Sequence, residues 1–154
     1  MSSRATGEAV GALLVALQFA LLGVLAWLAL RGLRAAAPTP DAVALVAAGA
    51  LLGLWALSAN RPGNFNVRPT PRADGALVEH GPYRWIRHPM YTSLLLGGLG
   101  AARLADGTAA WLVFAALAVV LAVKAGVEER ALRRHHPAYE AYRERTWRFV
   151  PGVY

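Results

Sequence analysis

The sequence predicts an all-α fold: an integral membrane bundle of four transmembrane helices with an ordered cytoplasmic loop and a C-terminal helical tail. Three observations carry this reading. Hydrophobic residues make up 56% of the 154-residue chain and charged residues only 16%, well below the ~25% usual in a soluble domain. Ala and Leu dominate that apolar content, which favours helix over strand. Four stretches lack Asp, Glu, Lys and Arg altogether: 9–30, 42–60, 88–102 and 107–123.

A helix needs ~20 residues to cross the hydrocarbon core. The first is comfortably long. The second and fourth are adequate. The third, beginning near Pro89, is marginal and contains Thr92 and Ser93. A soluble fold built from all four would retain almost no polar face. Residues 1–154 therefore read as one membrane domain, with helices over about 8–31, 41–60, 89–104 and 108–135 and a short tail helix over about 137–147. The first stretch exceeds the ~7–15 residues of a signal-peptide core, and Arg31 and Arg34 follow it directly, so it is expected to be a retained helix.

Charge placement sets the orientation. Of the sixteen Lys and Arg, all but Arg31, Arg34 and Arg103 fall on the side that holds both termini and the connector after the second stretch. The positive-inside rule places that side in the cytoplasm. The net charge of +7 is then explained by orientation and lipid headgroups, and no nucleic-acid partner is expected. The Ala- and Arg-rich composition suggests a bacterial source, hence the inner membrane. No cysteine is present, which removes disulfides, thiolate catalysis and Cys-ligated metals. The spacing of His80, His88, His135 and His136 matches no zinc signature, so no metal is expected.

Packing signals lie within the helices. Gly49 and Gly53 form a small-xxx-small pair that admits a close neighbour. Gly97, Gly98 and Gly100 thin out one side of the third helix, either for packing or to admit something flat against bare backbone.

Two segments stand out chemically. The connector contains Pro62, Pro69, Pro71 and Pro82 yet keeps Phe65, Leu77, Val78, Tyr83, Trp85 and Ile86, which suits an ordered, membrane-facing loop. It ends in Gly81-Pro82-Tyr83-Arg84-Trp85-Ile86-Arg87-His88-Pro89-Met90-Tyr91. Pro89 suits the first turn of the third helix. Tyr83, Arg87, His88 and Tyr91 would converge at the positive end of that helix, where an anionic group is stabilised. A simple interfacial anchor of Tyr, Trp and Arg explains the same composition. The second segment opens with Glu128-Glu129 at the exit of the fourth helix. Adjacent carboxylates near a helix C-terminus are unfavourable unless the helix continues or the pair has partners. One reading is a solvated tail with the pair bound to Arg130 and Arg133. Tyr139 and Tyr142 share a face, and Arg148 and Pro151 close the tail.

Together the two segments resemble the isoprenylcysteine carboxyl methyltransferase and phospholipid methyltransferase superfamily. The resemblance rests on Gly81-Pro82-Tyr83, on Arg87-His88-Pro89 with Tyr91, and on Glu128, Glu129, Leu132, Tyr139, Tyr142, Arg148 and Pro151, from about Leu77 to the end. It implies a methyltransferase dependent on S-adenosylmethionine, with a cytoplasmic cofactor pocket and a lipid-accessible acceptor path. Tyr83, Arg87, His88, Pro89 and Tyr91 would surround the cofactor, and Glu128 and Glu129 would hold its polar groups. Arg148 and Glu128 would stand nearest the chemistry. The implied partners are membrane lipids and a lipophilic or lipidated acceptor: an isoprenylcysteine-like carboxylate, a phospholipid amine or a small thiol. The sequence departs from the family pattern at Ser93, where glycine is frequent, and at His136-Pro137, where an aromatic is usual. Both departures bear on the acceptor more than on the cofactor. Four spans stand nearest the phospholipid-methylating branch. Two other classes share some of these features: larger, nicotinamide-dependent sterol reductases, which have a similar Arg-His-Pro-x-Tyr region, and non-enzymatic membrane docking modules.

Overall fold

The computed structural model describes residues 2–60 and 77–153, with side chains from Gly7 onward and excepting His135. Arg61, Pro62, Phe65, Arg68, Pro69, Pro71 and Arg72, which carried part of the loop and charge reading, lie outside the described residues. The helices are α1 (Ser2–Ala35), α2 (Pro40–Ala59), α3 (Pro89–Ala105), α4 (Thr108–His135) and α5 (Tyr139–Glu144), with a 3-10 turn at Gly81–Arg84 before α3.

Among the described residues, three segments are long and apolar enough to cross a membrane: Gly7–Ala35, Pro40–Ala59 and Thr108–Arg134. The chain is thus an integral membrane protein by its helices. α3, with 17 residues, would reach about 25 Å and is not among the three. It compensates by position, because α1, α2 and α4 all pack against it. Large apolar side chains such as Leu13, Leu51, Leu54, Leu112 and Val119 point outward, as a lipid-facing surface requires.

Close helix contact explains the glycines. A Cβ on Gly49 would lie 2.7 Å from the Ser93 carbonyl oxygen and 2.8 Å from the Gly97 nitrogen. One on Gly100 would strike Val46, and one on Gly32 would enter the backbone of Leu104. Gly98 faces Leu117, Phe114 and Leu25. Neighbouring helices therefore occupy the ground beside Gly98 and Gly100, and only Gly97 of this trio has open space where its Cβ would stand.

The ends follow local rules. Pro40 and Pro89 start α2 and α3, where a missing N–H costs nothing. Asp106, in the left-handed region at φ 46°, stops α3. α4 runs on through the glutamates to His135. α5 is shorter than the tail helix expected over 137–147, because residues after Glu144 leave the helix to pair with the chain ahead of α3. Ile86 and Trp147 form an isolated parallel bridge. Around it, the Trp147 N–H donates to the Trp85 carbonyl at 2.9 Å, Arg87 N–H to Trp147 at 2.8 Å, and His88 N–H to Arg148 at 3.1 Å.

Candidate functional site

That backbone seam joins the two chemical segments. Parallel pairing sets Arg87 and His88 beside Thr146–Arg148, just as the chain enters α3. Thr92 Oγ1, in the first turn of α3, donates to the Phe149 carbonyl at 2.9 Å and so holds the tail from the other side. Tyr142 Oη donates to the Tyr83 carbonyl at 2.6 Å, fixing α5 under the 3-10 turn. Its neighbour Tyr139 is 1% exposed, with its ring 5.9 Å from that of Tyr142.

Glu129 lies at the centre. Arg87 Nε approaches its Oε1 at 3.0 Å. Arg148 grips it with two nitrogens, Nε to Oε1 at 3.1 Å and an Nη to Oε2 at 2.6 Å. His88 Nε2 stands 3.2 Å from the same Oε1. A carboxylate this enclosed, with 4% of its side chain exposed, tolerates burial because several cationic donors surround it. Arg87 is itself clamped, since it also donates to the carbonyls of Arg143 and Thr146.

Glu128 differs. It keeps 20% of its side chain exposed. Tyr91 Oη donates to it, and His88 Nδ1 lies 3.4 Å from its second oxygen. The imidazole thus bridges both glutamates while stacking near-parallel on the Tyr91 ring at 5.4 Å. Burial opposes a charge on His88, and the hydrogen bonds and charges of Glu128 and Glu129 outweigh it, raising its pKa above the ordinary value. Burial, then the Glu128 charge, pushes the Tyr83 hydroxyl up to about 12.

The structure therefore brings Arg87, His88, Tyr91, Glu128, Glu129 and Arg148 into one contact network. Pro89 is fully buried in the first turn beneath it, and Tyr83 lies within electrostatic reach of Glu128. The carboxylates do not pair with Arg130 and Arg133 along their own helix. Arg133 turns instead to Glu140 at 3.5 Å. Both conditions for adjacent carboxylates are met: the helix continues, and partners arrive from elsewhere in the chain. The anionic charge expected at the start of α3 is supplied by the protein's own glutamates, acting through His88 and Tyr91.

Tyr139 acquires a significance that its spacing did not show. Its buried hydroxyl has no hydrogen-bond partner among the described residues, although Glu129, Arg87 and Glu128 all act on it electrostatically. The only sequence signal was its place in the tyrosine pair, which reads equally as packing.

The α3 and α4 segments of this cluster also match a known family. The profile of the isoprenylcysteine carboxyl methyltransferase (ICMT) family matches residues 42–134, more than half of the chain, from α2 through both glutamates. Tyr139, Tyr142 and Arg148 lie beyond that segment. The chain is also similar to the cobalt-zinc-cadmium resistance protein CzcN of Cupriavidus metallidurans, with 36% identity over 83 residues. The match takes in 53% of this chain and 38% of CzcN, so the chain aligns with well under half the length of that relative. On the family match, carried by the segment that builds the α3–α4 cluster, this chain belongs to the isoprenylcysteine carboxyl methyltransferase family.

Proposed function

We propose that the protein transfers a methyl group from S-adenosylmethionine to a lipophilic or membrane-partitioned acceptor, at the cytoplasmic end of α3 and α4. In this reading α3 is the fourth span, both termini face the cytoplasm, and the membrane is the bacterial inner membrane. The observation that carries the proposal is the division of labour between the adjacent glutamates. Glu129 is held by Arg87, Arg148 and His88 and fixes the frame. Glu128, more exposed and facing fewer donors, keeps acceptor capacity for a ligand, since a carboxylate offers about four lone-pair sites.

The residues present fit the donor molecule. It bears hydroxyls and an ammonium, which Glu128 would accept, and a carboxylate, which Arg148 or the orphaned Tyr139 hydroxyl would meet. Tyr83 and Tyr91 supply aromatic surface for its cationic and flat parts. When bound, S-adenosylmethionine supplies a methyl carbon activated by a sulfonium.

The chain's own residues do the positioning. The parallel seam holds Arg87 and His88 in register, and the Glu129 clasp locks them, so the site is organised before any ligand arrives. Burial of the cluster excludes water and strengthens its electrostatics. Arg148 and Glu128 are the two polar side chains set to approach the reacting groups. A carboxylate or thiolate acceptor contributes a lone pair to the methyl carbon while the carbon–sulfur bonding pair stays with sulfur. No proton moves in that case, and no general base is needed.

Titration of the detergent-purified protein with S-adenosylmethionine, S-adenosylhomocysteine and NADPH tests the reading. The expected result is micromolar-range binding of the first two, weakened about tenfold or more by Glu128→Ala. Binding of NADPH alone would replace the proposal with a reductase, and binding of none of the three would leave a docking module.

A further inference from the structure

The outer face of α4 changes its chemistry without changing direction. Leu112, Ala116, Val119 and Val123 are exposed, and their steps of three and four keep them on one side of the helix. Two turns after Val123 the same side carries Arg130, and one turn later Arg134, both exposed. Leu112 and Arg130 are about 27 Å apart along the axis, close to the ~30 Å of the hydrocarbon core. An apolar stripe of bilayer length therefore ends on two arginines, at the end of the bundle that holds Glu128 and Glu129.

The nearby arginines are engaged. Arg87 and Arg148 hold Glu129, Arg133 and Arg143 hold Glu140, and Arg145 holds Glu79. Among the described residues, no carboxylate lies within ion-pairing distance of Arg130 or Arg134. Like charges four apart on a helix repel each other, so this pair lacks an anion of its own. Arg130 also does not reach away from the bilayer. A Cβ on Gly126, one turn nearer the apolar stripe, would lie 3.8 Å from Nη1 of Arg130 and within 4 Å of no other neighbouring segment. The guanidinium thus lies back along the helix, over a bare turn, at the border between stripe and water. Membrane orientation calls for positive charge on this side, but not on one chosen face.

We propose that this face of α4 binds a non-reacting phospholipid of net negative head charge, with the lipid phosphate at Arg130 and Arg134 and an acyl chain along Val123, Val119 and Leu112. A guanidinium is a planar fork that meets two phosphate oxygens at once and stays charged at any working pH. A zwitterionic head brings its own ammonium, which the second guanidinium repels, so an anionic head is preferred. The space over Gly126 leaves room for the glycerol part of the lipid. Arg130 directly follows Glu129, so a lipid held here sets the depth at which α4 leaves the membrane with its glutamates. The inference stands on this outer face alone and does not depend on methyl transfer.

Native mass spectrometry tests it. The delipidated protein in detergent is titrated with phosphatidylglycerol and with phosphatidylcholine of the same acyl chains, and the affinity for the first lipid bound is compared. Wild type should bind phosphatidylglycerol about tenfold more tightly. Arg130→Gln/Arg134→Gln should bring the two lipids within about twofold of each other. Arg31→Gln/Arg34→Gln removes the same charge from the opposite end of the bundle and should keep the preference. Equal affinities in wild type, a preference that survives Arg130→Gln/Arg134→Gln, or an equal loss in Arg31→Gln/Arg34→Gln overturns the inference, the last because net charge alone would then explain the preference. Should the Arg130→Gln/Arg134→Gln variant not fold, Arg134→Gln alone takes its place, with a loss of at least half the preference expected and an unchanged preference overturning the inference.

Discussion

The two ends of this bundle handle charge in opposite ways. At one end, Arg103 bonds Asp41 at 2.8 Å with roughly half of each side chain open to solvent. At the other, Glu129 is enclosed by Arg87, Arg148 and His88, which come from the chain ahead of α3 and from the tail. The first pair joins α2 to α3 and is largely screened. The second joins three distant segments in a place shielded from water, where each member depends on the others. Charge count does not separate the two ends. Burial and the number of segments converging do.

That contrast predicts very unequal consequences. Glu129→Ala removes the carboxylate that two guanidinium groups and an imidazole share, and breaking a buried pair in this way costs about 3–5 kcal/mol. Chemical denaturation in detergent should show the loss, together with abolished S-adenosylhomocysteine binding. Next in size, Gly49→Val should cost about 1–3 kcal/mol by forcing α2 from α3, while Gly97→Ala, with open space at its Cβ, should be tolerated. Tyr139→Phe removes a buried hydroxyl that has no partner. It should stabilise the ligand-free protein by about 1 kcal/mol and weaken S-adenosylhomocysteine binding. Calorimetric unfolding with and without ligand would show the two shifts in opposite directions.

The pH response has a definite sign. A histidine whose pKa is raised on folding contributes its stabilisation fully below the ordinary value of 6.5 and loses it as pH rises through the raised value. The unfolding temperature should therefore fall on going from mildly acidic to alkaline pH, and His88→Gln should flatten that dependence. The smallest effect belongs to the exposed end: Arg103→Ala should leave the unfolding temperature unchanged.

Much of this was legible in the sequence. Runs without charge marked the long helices, because apolar length alone decides whether a helix suits a bilayer. Gly81 to Tyr91 and Glu128-Glu129 marked, by residue type and order, the candidate site that the fold draws together. Pro89 marked a helix start by a local steric rule. Three of the four expected spans are long and apolar enough to cross among the described residues; α3 is shorter, and its place comes from packing against α1, α2 and α4 rather than from its own hydropathy.

Tertiary structure decided the pairings. Nothing in the spacing of residues 128 and 129 says that one carboxylate is sealed by arginines from positions 87 and 148 while the other stays open. Ile86 and Trp147 show no strand pattern, yet their bridge sets the register of the site. Lys124 reads as the end of an apolar run, and only the fold places it beside Gln18, more than a hundred positions away, and against Tyr91. Local sequence governs helix formation and solvent preference because both depend on neighbouring residues. Which buried charge meets which counter-charge depends on segments distant in the chain, and only their packing brings them within reach.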